Sequence, residues 1–307
     1  MLINNINTFK ETVKVNKSAT WEAFAPFSQD AQQFYIEPYL GSALIAKMEA
    51  KEPEEKYTIL LFHTRRALGP FIYMLAVHET SINFGDAGHT VPSGSNGSGI
   101  APASDSKIAK AQDSAEFRGW QNLEYLLRFL EENTDDYPEW QQSQYIRNHK
   151  SKYFRTAVDF QELGMVDIEY SQLTFDKLLH LIRRIEASDI LDLVPVEIEN
   201  PFDSNIPNKE KRLVSYIQSY VSSKAAMLHT SQTTKQQRTN QQNAKPEYKP
   251  VIRPLYADLQ DTGNYYAEQV DYWRAKIIEL LAEEFCIDKS GKLDWNTANK
   301  KLFVDIG

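Results

Sequence analysis

A chain of 307 residues with a formal net charge of −8 has length enough for two domains, each able to bury its own core. Hydrophobic residues make up 42% of it and aromatic residues 12%, which excludes a chain left disordered for want of apolar surface. A single cysteine, Cys286, excludes a disulfide framework or a multi-cysteine zinc site. The acidic balance argues against sequence-independent DNA binding over the whole surface, because that binding neutralises phosphates with Lys and Arg. Met1-Leu2-Ile3-Asn4-Asn5 lacks the basic and apolar regions of a signal peptide, so the expected setting is a reducing cytoplasm.

The first 25 residues read as a short arm and a first helix around Trp21 and Phe24. Asp30 to Met48 is a second helix, with a bend or break expected at Pro38 and Gly41, since Pro removes a backbone donor. The stretch from Tyr57 to Phe84 is apolar around most of its circumference, the pattern of a helix buried on nearly every side. His63, Arg65, Arg66, His78 and Glu79 interrupt it, so no run approaches the ~18 apolar residues of a membrane span. We expect a central helix of a helical domain, kinked at Gly69-Pro70, that ends at Gly85-Asp86-Ala87-Gly88. There Gly85, Asp86 and Gly88 form a loop hinge, because glycine takes the positive φ of a helix terminus at no steric cost. A polar Gly/Ser loop over 85–104 follows, and Ser104-Asp105 supplies an N-cap for a long helix with Ile108, Ala111, Ala115, Gly119, Leu123 and Leu126 on one stripe. Trp140 and Tyr145 fall in a shorter helix after Pro138.

From Arg155 the pattern starts again. Phe175, Leu178, Ile182 and Ile185 form one stripe; Leu213, Ile217, Tyr220, Lys224 and Leu228 form another. Val194–Ile198 and the region near Val166-Asp167-Ile168 are short strands at most. Residues 231–254 are a polar loop or arm, and Val270, Trp273, Ile277, Leu280 and Leu281 restore a helix before Trp295. The order helix, polar loop, long helix, Trp thus occurs twice, about 150 residues apart, roughly one domain length. The sequence therefore predicts an all-α protein of two related helical-bundle units, 1–150 and 151–307, built by internal duplication.

No catalytic, cofactor-binding or metal site is expected. His63 and His78 are fifteen positions apart, and His89, His149, His180 and His229 have no neighbour at ligand spacing. Gly94-Ser95-Asn96-Gly97-Ser98-Gly99 lacks the Lys and the preceding strand of a phosphate-binding loop. Glu131, Glu132, Asp135, Asp136 and Glu139 read as a solvated helix end, and Cys286 as a buried thiol. The unusual charge pattern is in the arm, where Lys235, Arg238, Lys245, Lys249 and Arg253 accompany Tyr248 with Glu247 the sole acid. These six residues are candidate contacts to an acidic partner, since opposite charge steers association; nucleic acid is a weaker candidate.

Phe34-Tyr35-Ile36-Glu37-Pro38-Tyr39-Leu40-Gly41 followed by the Tyr57–Glu79 helix, the Gly85-Asp86-Ala87-Gly88 turn, Ala101-Pro102-Ala103-Ser104-Asp105 and Trp140 resembles helical proteins of Bacteroides-type phages and prophages. That family is similar in helical pattern to the head–tail connector (adaptor) proteins of tailed phages. The resemblance covers mainly residues 30–145, and this chain is about twice as long as simple adaptors. It implies a virion structural protein without catalysis, made in the host cytoplasm. It also implies a homo-oligomeric ring of twelve between the portal protein and the tail proteins, with DNA in transit and no membrane. An acidic lumen would let DNA slide, and the two polar loops would order on neighbours. The rival reading is a non-catalytic scaffold or regulatory protein that docks an acidic partner through the basic arm. An enzyme using the loops as a lid is disfavoured, since no acid, base or nucleophile constellation appears.

Overall fold

The computed structural model describes residues 1–80, 83–85, 88–90, 104–148, 150–232 and 259–287. Among these the fold is all-α, with one small hairpin, and the chain divides into two compact units, the first being Met1–Asn148.

In unit 1, α1 (Ile6–Thr12) begins where the Asn5 side chain accepts the amides of Asn7 and Thr8, and it buries Phe9 and Thr12. The first helix therefore precedes Trp21, which lies in a single 3₁₀ turn. Next, α2 (Ala25–Ala31) runs through a wide i→i+5 turn, Gln32–Ile36, into α3 (Glu37–Leu40). The wide turn comes just before Pro38, which has no amide to donate, and the helix continues past it with a shifted hydrogen-bond register. It breaks at Gly41, φ +78°, and α4 (Ser42–Met48) follows.

The central helix, α5 (Glu55–Thr80), carries Pro70 inside it. Ala67, Leu68, Phe71 and Ile72 are fully buried, but Ile59 and Phe62 are exposed, so burial on nearly every side holds only for its middle. Gly69 has a purpose beyond any kink. A Cβ there would stand 1.8 Å from Thr12 Oγ1, so the end of α1 rests directly on the α5 backbone.

A hairpin of β1 (Asn83–Gly85) and β2 (Gly88–Thr90) precedes α6 (Asp105–Glu132). Ser104 occupies the cap position of α6, but its carbonyl, rather than its hydroxyl, serves the first turn. Ring contacts pair Phe71 with Trp120, His63 with Tyr125 and Tyr57 with Tyr137. The partners run in opposite order, so α5 and α6 are antiparallel. Gly119 lets them close up, because a Cβ there would meet the Phe71 ring at 2.6 Å. In α7 (Pro138–Gln141) Trp140 is buried and donates to Tyr39 O at 3.1 Å; Tyr145 lies in a separate helix, α8 (Gln144–Asn148).

Unit 2 opens with α9 (Ala157–Gly164), capped by Thr156, whose hydroxyl accepts from Asp159 N. The link to α10 (Gln172–Ile185) is irregular and contains no strand at Val166–Ile168. Gln161 Oε1 accepts the amides of Ile168 and Tyr170, and Asp167 accepts from Glu169 N, so side chains take the donors a ladder would need. The α10 stripe Phe175, Leu178, Ile182 and Ile185 is buried as its spacing predicts. A second wide turn, Glu186–Ile190, leads to α11 (Leu191–Leu193). Two long helices, α12 (Asn208–Gln232) and α13 (Leu259–Glu284), complete the unit. Tyr216 meets Trp273 and Arg212 pairs with Glu284 at 3.2 Å, again an antiparallel order. Phe154, Phe160, Ile217, Val221 and Ile277 lie fully buried in this core.

Candidate functional site

The six arm residues Lys235, Arg238, Lys245, Tyr248, Lys249 and Arg253 lie outside the described residues, as does Asp86. Gly85 and Gly88 do not terminate a helix. The central helix stops at Thr80, and the two glycines face each other as a hairpin pair.

Among the described residues of unit 1, the single most exposed large apolar side chain is Phe34 (63%) in the wide turn, and a group of exposed apolar side chains lies on the α5–α6 hairpin. Ile59, Phe62 and Tyr125 are 45%, 57% and 56% exposed. Half-buried His63 packs among the rings of Phe62, Tyr125 and Phe129, with centroids 5.4, 5.2 and 5.0 Å away. The Arg66 guanidinium lies 5.7 Å from the Phe62 ring. Burial, and then the Arg66 charge, hold the His63 pKa below its ordinary value, so the imidazole is neutral at neutral pH. The chemistry on offer is adhesive: aromatic area with a cation at its edge.

Glu139 is less solvated than its neighbours in sequence suggest. It accepts from Tyr57 Oη at 2.9 Å and faces Lys47 at 3.6 Å. Burial raises its pKa, but its own backbone amide, Tyr57 and Lys47 outweigh this and leave it below the usual range. A shallow hollow of about 370 Å³ is lined by Lys10, Lys14, Lys17, Arg118 and Glu11, among others. Two of its cations hold the chain after α1: Arg118 donates to Thr12 O and Lys10 to Lys17 O, each at 2.9 Å.

In unit 2 the ionisable cluster is Asp189, which accepts from the Lys224 ammonium, from Tyr220 Oη at 3.0 Å and from Ser188 Oγ at 2.8 Å. Burial raises its pKa; the bonds from Lys224, Ser188 and Tyr220 win and lower it. The cluster ties the second wide turn to α12. The signal that could have found it is Lys224 itself, a cation inside an otherwise apolar stripe. His229 is half-buried, its pKa lowered by burial and then by Lys177 and His180. Cys286 is half-buried. Among the described residues, no group of three or more His, Cys, Asp or Glu is placed to hold a metal ion, and no helix is long and apolar enough to cross a membrane.

Residues 29–150 match a family of unknown function (DUF6712), so that stretch is similar to its members. The matched region stops within two residues of the end of unit 1 at Asn148. No curated protein and no solved structure matches the chain.

Proposed function

We propose that this protein is a non-catalytic virion component, a phage head–tail connector that forms a ring between portal and tail through which DNA passes. The observation that carries the reading is the face of the α5–α6 hairpin that is left exposed among the described residues, Ile59, Phe62 and Tyr125 around His63. An apolar face of this kind on a helical unit suits permanent contact with a neighbouring subunit. The all-α architecture and the net charge of −8 suit a ring whose lumen repels DNA, and the family likeness over 29–150 is compatible with it.

Electron microscopy of purified particles tests the assignment: the expected density is at the portal–tail junction, and density elsewhere defeats it. Mixing the purified chain with portal protein should give rings, and Phe62→Asp with Tyr125→Asp should abolish them while circular dichroism stays unchanged. Deleting 233–249 should leave both helical cores folded and weaken assembly; unimpaired ring formation would dispose of the docking arm.

A further inference from the structure

The two units share one hydrogen-bonding plan at a nearly constant offset. Asn5 caps α1 and Thr156 caps α9, 151 positions later. Leu2 N donates to Gln32 Oε1 at 3.0 Å, and Tyr153 N donates to Glu186 Oε1 at 3.1 Å. Offsets there are 151 and 154. On the same segment, Arg65 Nε donates to Leu2 O at 2.7 Å and Gln218 Nε2 donates to Tyr153 O at 3.0 Å, offsets 153 and 151. Arg Nε and Gln Nε2 occupy the same place along their side chains, as do the Oε1 atoms of Gln and Glu.

Packing follows the same plan. Phe9 and Phe160 are fully buried at the middle of their short helices. The last turn of each short helix touches the long helix at a glycine, Thr12 against Gly69 in one unit and Gly164 against Ser222 in the other. The wide turns Gln32–Ile36 and Glu186–Ile190 stand 154 apart. From each, one residue reaches the long helix: Tyr35 stacks on Phe71 at 4.3 Å, and Asp189 pairs with Lys224, offsets 154 and 153. Helical bundles often share apolar stripes by chance. They have no reason to share main-chain bonds, caps and wide turns in one register.

We infer that the described residues from 150 to 287 are a second copy of the module formed by 1–148, so that one chain carries two related helical modules in tandem. The family likeness ends where the first copy ends, and the second has diverged beyond it. This inference does not rest on the connector reading, and its test needs neither portal nor ring.

The test is exchange of counterparts in the full-length chain, read by hydrogen–deuterium exchange and thermal unfolding. Arg65→Gln, Gln32→Glu and Glu186→Gln install the residue that the other unit uses. Each should keep the protection of residues 2–12 or 153–163 and the unfolding midpoint near wild type. The controls Arg65→Leu, Gln32→Leu and Glu186→Leu keep bulk without the polar atom and should lose that protection. Counterpart exchanges as damaging as the Leu controls would overturn the inference.

Discussion

Unit 1 joins its wide turn to its long helix with stacked aromatics, Tyr35 on Phe71; unit 2 makes the corresponding connection with an ion pair, Asp189 to Lys224. Likewise a neutral acceptor, Gln32, receives Leu2 N where an acid, Glu186, receives Tyr153 N. The difference teaches that backbone geometry specifies that a contact must be made at these places. The chemistry used to make it is secondary. One consequence is that the two units should respond differently to acid and salt while failing in the same way when their cores are breached.

The largest effects probe what the units have in common. Leu127→Asp and Leu281→Asp each put an unpaired carboxylate into a buried site, at a cost of several kcal/mol. Hydrogen exchange should show protection lost from unit 1 alone in the first variant and from unit 2 alone in the second. Next, Gly69→Ala sets a Cβ 1.8 Å from Thr12 Oγ1 and Gly164→Ala one 2.7 Å from Ser222 Cβ. Overpacking of this kind costs about 1–3 kcal/mol, and denaturant unfolding should find the Gly69 variant the weaker. Tyr57→Phe, which removes the bond to Glu139, should cost about 1 kcal/mol.

Smaller effects sharpen the contrast. Burial raises the Glu186 pKa despite the Lys152 and Tyr153 amides it accepts. A carboxyl raised on folding favours the folded state below its unfolded pKa, and that contribution is lost as pH rises through the folded value. Glu186→Gln should therefore raise the unfolding midpoint slightly at neutral pH, and the advantage should vanish in acid. Asp189, lowered in the folded state, has the opposite sign: its contribution is present above the ordinary carboxylate range and lost as pH falls through the lowered value. Lys224→Met should cost at most about 1 kcal/mol, less at high salt. Phe71→Leu in unit 1 should show no such salt dependence.

Much of the fold was legible because apolar spacing encodes it. The stripes through Leu123 and Leu126, through Phe175 and Ile182, and through Leu213 and Ile217 all became buried helix faces. What spacing does not encode is which backbones touch. Gly69 looked like half of a Gly-Pro kink, and only the position of Thr12 reveals why a side chain is excluded there. The wide turns were equally hidden, since no residue type marks an i→i+5 register; Pro38 showed only that something must change near it. The candidate face was misread for a related reason. Ile59 and Phe62 belong to an apolar run and so looked like core, yet the described residues leave them uncovered. Glu139 and Asp189 acquired partners far away in the chain, Tyr57 and Lys224, and local sequence carries no record of such partners.

The turns at Gln32–Ile36 and Glu186–Ile190 also bear on how this protein tolerates changes in length. An i→i+5 ring holds one residue more than an ordinary helical turn, so each is a place where the chain carries a spare. Removing exposed Ala187 would let α10 continue to Leu193 on regular helical geometry, whereas the same deletion in mid-α12 would rotate a whole apolar face away from its core.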